Sequence, residues 1–523
     1  SAGFALILKK ENFIFVDGRY TLQAQIQCGK YFRIIEIPKF SIKDTLKKYK
    51  KKLLLGFDPQ LFTSSLIKIN FNNTFNLLPI EKNLVDKVYR EKDKKFVNLF
   101  YGLDKKITGE SINSKISRVI KKIKLNNIEN IFISSPENVA WLLNLRGKDG
   151  PNSPIPNCKI ILTNKKKIYF FSCPKKISQI KKSKQYKNLI FSNYKDFSKI
   201  IHKLKGKNFC IDNISCSLSN ESIIKKTFGI KLRIDPCYLM KSLKNKSEIK
   251  HTIDTHIKDG LALTRFIYWI KNINKKKITE IEAKNKLEKF RRLNKDYLFP
   301  SFDTIAGTGS NGAIIHYRVN KKSNKIIKKN DIFLCDSGGQ YNFGTTDVTR
   351  TICFSKQKKS IKNIFTNVLK GHIAVAQTDL NKIYTGKKID LRARKFLVKN
   401  GLDYAHGTGH GVGFFLNVHE GPQSISKYNS IKLSEGMILS NEPGYYKKGH
   451  YGIRIENLLY IKKNKKNLKF ENLTLAPIET DLINYNLLSK SERNYLFNYH
   501  LNIYSKYYKF LNKKERSWLA SLI

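Results

Sequence analysis

Residues 331–352 read DIFLCDSGGQYNFGTTDVTRTI, an apolar run ending in Asp336, a glycine-centred turn, and a β-branched return that carries Asp347. The pattern predicts an antiparallel hairpin in which two carboxylates at the ends of facing strands point at one spot. Asp336, before Ser-Gly-Gly, would serve equally well as a turn cap. Asp347 is harder to explain in that way, because Asp is disfavoured inside a strand and costly to bury unless paired or bound to a metal. A second hairpin follows at 435–461, EGMILSNEPGYYKKGHYGIRIENLLYI. Its apolar arm leads to Glu442 and its return arm buries Glu456 among Ile453, Ile455 and Leu458, with Arg454 two residues earlier on the same face. Between the hairpins lies HGTGHGVGFFLNVHEGP (406–422), which holds His406, His410 and His419. Its H-G-T-G-H lacks the glutamate of H-E-x-x-H, and the glycines argue against a helix, so a loop or strand is expected to deliver these imidazoles. Upstream, FPSFDTIAGTGSNGAIIHYR (299–318) places His316 at the end of a strand-like AIIHY.

Together the segments gather four carboxylates, Asp336, Asp347, Glu442 and Glu456, with the imidazole of His410. Four buried negative charges need cations, and two divalent ions balance them. Oxygen-rich ligation with one histidine suits Mn(II), with Co(II) or Zn(II) possible under other supply, better than it suits a thiolate zinc site. Two metals sharing carboxylates can hold a hydroxide and polarise a carbonyl, the requirement for metal-assisted hydrolysis.

Outward from this core, the 523 residues exceed any small binding module. Hydrophobic residues at 41% against 27% charged residues predict a folded chain. No uncharged apolar run approaches the roughly 18–20 residues that span a bilayer, so no membrane association is expected. The net charge of +58 raises the question of a polyanion partner. Yet only 16 of the 99 basic residues are arginine and the lysines run along the whole chain, whereas phosphate and base readers favour the bidentate arginine fork. The charge is therefore read as compositional bias, with no specific nucleic-acid partner. Eight scattered cysteines form no C-x-x-C pair, which excludes a zinc ribbon or a redox dithiol and, with SAGFALIL showing no secretory pattern, points to the cytoplasm. Ser at position 1 suggests that sequence ahead of it has been lost.

The first hundred residues alternate apolar runs (FALIL, NFIFVDG, FRIIEI, KLLLGFD) with apparent helices, as in a mixed α/β domain. A second such unit opens near Gly109, where Ile112, Ile116, Ile120 and Ile123 fall at helical spacing ahead of the strand-like NIFIS, CKIILT and KIYFFS. A long helix is expected from Ile253 to Ile273, and a helical appendage after about Leu475.

This order of ligands on two glycine-rich hairpins resembles the pita-bread metallopeptidases, and the segments quoted resemble the aminopeptidase P family in its long, three-domain form. VDGRYTLQAQ near the start, ENVAWLLNLRG, and LTLAPIETDLI with SERNYLFNYH extend the likeness over nearly the whole chain. One departure is GSN in place of the usual Gly-Pro-Asn before GAIIHYR. The resemblance implies an α/β (α+β) architecture: creatinase-like domains over residues 1–108, truncated at its start, and 109–240, a pita-bread catalytic domain over 241–465, and a C-terminal extension over 466–523. It implies an Xaa-Pro aminopeptidase that releases the residue before a penultimate proline through a metal-bridging hydroxide. Asp347 and Glu456 would bridge two ions, Asp336 would complete one, and His410 with Glu442 the other. Glu442 would also move a proton, His316 and His419 would bind substrate and oxyanion, His406 would line the proline pocket, and Arg454 would support the ligands. The resemblance further implies a homodimer acting on peptides. Prolidase and methionine aminopeptidase share the fold. The long N-terminal half argues against the latter, and the five retained ligands argue against a non-catalytic relative.

Overall fold

The computed structural model describes all residues except 1–2, 48, 50–52, 72–74, 90–97, 274–276 and 466. By internal packing the chain forms two compact units, one of residues 36–241 and one that joins residues 1–35 to 242–523. The sequence expectation instead groups residues 1–35 with the segment that follows them.

The unit of residues 36–241 is built on a six-stranded mixed sheet. Its strands run in the order Leu189–Ser192, Ile168–Phe171, Lys159–Thr163, Asn130–Ile133, Asn208–Ile211 and Gly229–Leu232. The helix Ile112–Lys124 buries Ile116, Val119, Ile120 and Ile123, the face expected from a spacing of three and four. Phe132, Ile161, Phe171, Phe209 and Ile211 form the core between sheet and helices.

The larger unit consists of two similar layers. In the first, helices Lys246–Asn272 and Glu280–Arg292 lie on a three-stranded antiparallel sheet of Ile305–Thr308, Ile332–Ser337 and Val348–Cys353. Leu263, Phe266, Ile267, Ala283 and Leu287 pack on Ala306, Phe333, Cys335, Val348 and Ile352. In the second, helices Lys359–Ala376 and Gly386–Val398 cover a five-stranded sheet in the order Glu420–Ile425, Gly409–Gly411, Ile438–Asn441, Asn457–Asn464 and Asn467–Asn472. There Val375, Ile389 and Ala393 meet Ile425, Met437, Leu439, Leu459 and Ile461. Each layer's second helix starts from a threonine that also makes an isolated antiparallel bridge, Thr279 to Ile326 and Thr385 to Lys432, so the layers repeat one plan. Helices Lys490–Tyr507 and Lys513–Ala520 form the C-terminal appendage.

Both expected hairpins are present. Asp336 pairs with Thr349 in the first and Asn441 with Asn457 in the second. Three local expectations are corrected. AIIHY is not a strand: residues Gly309–Ala313 form a 3-10 turn and His316 follows it. Asp347 lies one residue ahead of the strand Val348–Cys353, not inside it. Glu456 lies in a break between Tyr451–Arg454 and Asn457–Asn464. The apolar, β-branched neighbours that suggested strand interior are buried in these breaks as well, with Ile455 packed in the core at 1% exposure.

Candidate metal centre

Strand ends from both layers meet at one wall of a cavity of about 820 Å³. Two glycines permit the approach. A Cβ on Gly452 would lie 1.8 Å from the Gly312 carbonyl oxygen, and one on Gly409 would lie 1.9 Å from that of Ser440. The 3-10 turn that precedes His316 is held by Glu280, fully buried on the helix Glu280–Arg292. Its carboxylate accepts hydrogen bonds from the Thr308 amide (2.7 Å), Asn311 Nδ2 (3.0 Å), the Tyr317 hydroxyl (2.9 Å) and the Lys325 amide (3.1 Å). Asn311, the last residue of GSN, is therefore part of the turn's support.

Ligand-type atoms of Asp336, Asp347 and Glu456 lie within 4.8 Å of one another, as do those of His410, Glu442 and Glu456, and those of Asp347, His410 and His419. Asp347, Glu456 and His410 each belong to two of these groups. All five residues expected as ligands are thus brought together, with His419 beside them, its ring centroid 4.0 Å from that of His410.

The hydrogen bonds orient this donor set. His410 Nδ1 donates to the Gly411 carbonyl (2.9 Å), which turns Nε2 toward Asp347 Oδ2 (3.4 Å) and Glu442 Oε1 (3.5 Å). A ring held through one nitrogen in this way presents the other to a metal ion, the usual arrangement of a metal-ligating histidine. Thr349 Oγ1 donates to Glu456 Oε2 (2.8 Å) and Arg454 Nη2 to Asp336 Oδ2 (2.6 Å). Among the described residues, the remaining oxygens, Asp336 Oδ1 and Glu456 Oε1, are buried without a hydrogen-bond partner. Orphaned acceptors of this kind are rare in native proteins, and coordination to divalent ions accounts for them.

Electrostatics agree with that fit. Burial, then the charges of Asp336 and Glu442, push the Asp347 carboxyl well above its ordinary range. Burial, then Asp347, does the same to Glu456. Glu442 is raised by burial, against the opposing pull of His410 and Arg454. These three clustered carboxyls resist ionising together unless cations balance them.

The other expected residues surround this group. His406 donates from Nδ1 to the Gly407 carbonyl (2.8 Å) and accepts at Nε2 from the Tyr446 hydroxyl (2.9 Å). Tyr446 in turn accepts from Arg454 Nη1 (2.6 Å). Arg454 thus ties Asp336 to the His406 side of the cavity. Burial, then Arg454, holds His406 well below its ordinary value. Burial, then Arg19, lowers His316 to about 3. The nearby His410 charge, then burial, lowers His419. A neutral imidazole can donate one hydrogen bond; that of His406 goes to Gly407.

Several residues at the site were not singled out from the sequence. Arg19, Tyr20 and Gln23 come from the N-terminal segment and line the same cavity. Tyr446, Thr349 and Glu280 act through hydrogen bonds that no local pattern announces. The motif VDGRYTLQAQ was the one available signal for Arg19 and Tyr20.

The family profile of metallopeptidase family M24 matches residues 253–463, that of the creatinase/prolidase N-terminal domain residues 92–248, and that of the C-terminal region of peptidase M24 residues 466–522. A protein of Laccaria bicolor named "Probable Xaa-Pro aminopeptidase P" is 36% identical over 99% of this chain and 85% of its own length. Xaa-Pro aminopeptidase 1 of Dictyostelium discoideum is 34% identical over 100% and 88%. Among solved structures, the X-prolyl aminopeptidase of Caenorhabditis elegans, described as a cytosolic enzyme with a di-nuclear active site, superposes with a TM-score of 0.92 at 29% identity, covering 99% of this chain and 89% of that one. A prolidase of Pyrococcus horikoshii reaches a TM-score of 0.56 at 25% identity over 70% and 99%.

Proposed function

Since the chain belongs to the M24 metallopeptidase family, we propose that it is a two-metal aminopeptidase that releases the N-terminal residue from peptides whose second residue is proline. The observation that carries the reading is the cluster of four carboxylates and one oriented imidazole, with two buried carboxylate oxygens lacking any protein partner. Asp347 and Glu456, the carboxylates shared between groups, would hold both ions, since a carboxylate offers two oxygens where an imidazole offers one nitrogen. Asp336 would complete one ion's shell, and His410 with Glu442 the other's. A donor set of carboxylates with one imidazole favours Mn(II), with Zn(II) and Co(II) as alternatives. When bound, the ions polarise the scissile carbonyl and lower the pKa of water.

The chain's own residues do the rest. Glu442 Oε1 accepts from Ser440 (3.0 Å) and faces His410, which leaves Oε2 to take a proton from the attacking water and return it to the leaving proline nitrogen. His419 and His316 donate to the substrate and to the developing oxyanion. A prolyl nitrogen carries no hydrogen and its ring fixes the backbone, so a dedicated apolar surface is needed. Ile305, Ile315 and Pro422 line the cavity beside the metal cluster, and His406, held by Tyr446, closes that side.

The substrate reading is tested with Mn(II)-reconstituted protein on Ala-Pro-Ala, Ala-Pro and Met-Ala-Ser. Release of alanine from the first at a rate far above both others is expected. Preference for the dipeptide would favour prolidase, and preference for Met-Ala-Ser would favour methionine aminopeptidase. The proposal extends to a cytoplasmic homodimer and to the four segments 1–108, 109–240, 241–465 and 466–523. The cytosolic description of the C. elegans relative supports the location, and light scattering at micromolar concentration tests the dimer.

A further inference from the structure

Arg350 lies on the strand Val348–Cys353, where Val348 and Ile352, on the same face, pack into the core of the first layer. Its guanidinium enters that core too, with the residue only 3% exposed. Nη1 donates to the Thr349 carbonyl (2.7 Å) and the Glu456 carbonyl (2.6 Å), and Nε to the Pro477 carbonyl (2.9 Å). Nη2 donates to Asn457 Oδ1 (2.8 Å), the Ala476 carbonyl (2.7 Å) and the Tyr499 hydroxyl (3.0 Å). These acceptors are all neutral. Arginine stays protonated in proteins, and a buried cation with neutral partners alone is costly. Burial disfavours the charge, while Tyr499 and then the Glu456 carboxylate favour it.

The bonds converge on one residue of the metal cluster. The Glu456 amide donates to the Thr349 carbonyl (3.2 Å), the Glu456 carbonyl accepts from Arg350, and Glu456 Oε2 accepts from Thr349 Oγ1 (2.8 Å). Three tethers thus run from Glu456, in its strand break, to two consecutive residues that follow Asp347 closely in sequence. Nη1 closes this link, because it holds the Thr349 and Glu456 carbonyls together. The remaining donors reach Ala476, Pro477 and Tyr499, all within the C-terminal region of residues 466–522. A lysine carries its donors on a single nitrogen and cannot span carbonyls from three segments as the planar fork does.

Given the two-metal reading above, on which this rests and in which Asp347 and Glu456 are shared by the ions, we propose that Arg350 is a positioning residue that fixes the spacing of these two carboxylates, and that the C-terminal extension acts on the metal centre through its hold on Arg350. The Ala476 and Pro477 carbonyls and the Tyr499 hydroxyl set the guanidinium from one side, and Nη1 passes that placement to the backbone of Glu456. A link that only fastened the extension to the core would need no bond to the backbone of a ligand.

The test measures Mn(II) dissociation constants by calorimetry and the electron paramagnetic resonance of the loaded protein. In wild type, two Mn(II) ions that share carboxylates should give the signal of a coupled pair. Arg350→Lys keeps the charge and loses the fork. It should weaken binding of the pair by about 10- to 100-fold, the range for outer partners of metal ligands, and show part of its bound Mn(II) as isolated ions. Tyr499→Phe removes the hydroxyl and keeps the ring; it should weaken binding by about 2- to 10-fold, the range of one hydrogen bond, with the same spectral change. Ile503→Val, in the core of the same helix, should lower the melting temperature and leave affinity and coupling as in wild type. Unchanged affinity and coupling in Arg350→Lys overturns the inference. The same result in Tyr499→Phe overturns the part given to the extension, and overturns the whole where Arg350→Lys does not fold. A loss in Ile503→Val as large as that in Tyr499→Phe also counts against it, because the extension would then act only through stability. If the wild type binds fewer than two ions or shows no coupled pair, the two-metal reading fails first and takes the inference with it.

Discussion

Metal binding at this site should release protons, and the number follows from the electrostatics of the cluster. With chelator present, Asp347 and Glu456 titrate well above their ordinary range because burial and mutual repulsion disfavour the charged forms. The unfolded chain ionises them near 3.9 and 4.3. Between those values and the raised ones, the folded, metal-free protein holds two protons that the unfolded chain has lost. Its stability is therefore fullest below about pH 4 with respect to these groups and declines as pH rises. One pH unit costs about 1.4 kcal/mol per retained proton, about 2.7 kcal/mol for the pair. Bound divalent ions keep both carboxylates ionised and remove this dependence. The apparent affinity of the pair of ions should accordingly rise by up to about two orders of magnitude per pH unit while both protons are retained. Calorimetric titration of chelated protein with Mn(II) in buffers of different ionisation enthalpy counts the protons directly, and release is expected wherever the raised carboxyls are still protonated. Thermal unfolding should show the gap between loaded and chelated protein widening as pH rises above the ordinary carboxylate range, about pH 4. Binding with no proton release and a pH-independent gap would refute the assignment of Asp347 and Glu456 as buried ligands.

Two further predictions separate roles within the cluster. His419→Ala should lower turnover by about 10²–10³, the cost of one oxyanion donor, and keep its metal, whereas His410→Ala should lose metal and activity together as read by elemental analysis and rate. Loss of metal in His419→Ala would make that residue a ligand. Glu280→Ala removes the acceptor shared by Thr308, Asn311, Tyr317 and Lys325 and should cost about 3 kcal/mol or more from stranded buried donors. Hydrogen exchange over residues 305–318 should accelerate and turnover should fall as His316 loses its support; unchanged exchange there would separate Glu280 from the turn.

The clustered residues were legible in the sequence because such groupings are costly elsewhere: carboxylates within apolar runs, and three of ten histidines within fourteen residues. The hairpins were legible because period-two apolar runs flanked glycine turns. What local reading missed depends on distant partners. AIIHY has strand composition, but Glu280 draws the preceding backbone into a 3-10 turn, and Gly309 adopts a φ of +53°. Asp347 and Glu456 sit in strand breaks rather than interiors, which lets the backbone turn both carboxylates toward the ions while their apolar neighbours stay in the core. VDGRYTLQAQ marks Arg19 in the sequence, but its place at the cavity emerges only in three dimensions, since its ion pair with Asp17 is local and the cavity is not.

The most direct measurement is the hydrolysis of Ala-Pro-Ala as metal-free protein is titrated with Mn(II). Activity should be absent without metal and saturate at about two equivalents per chain, and Asp347→Asn should bind fewer ions and fail to recover. Undiminished hydrolysis by metal-free protein, or full turnover in Asp347→Asn, would contradict a two-metal site built on these residues.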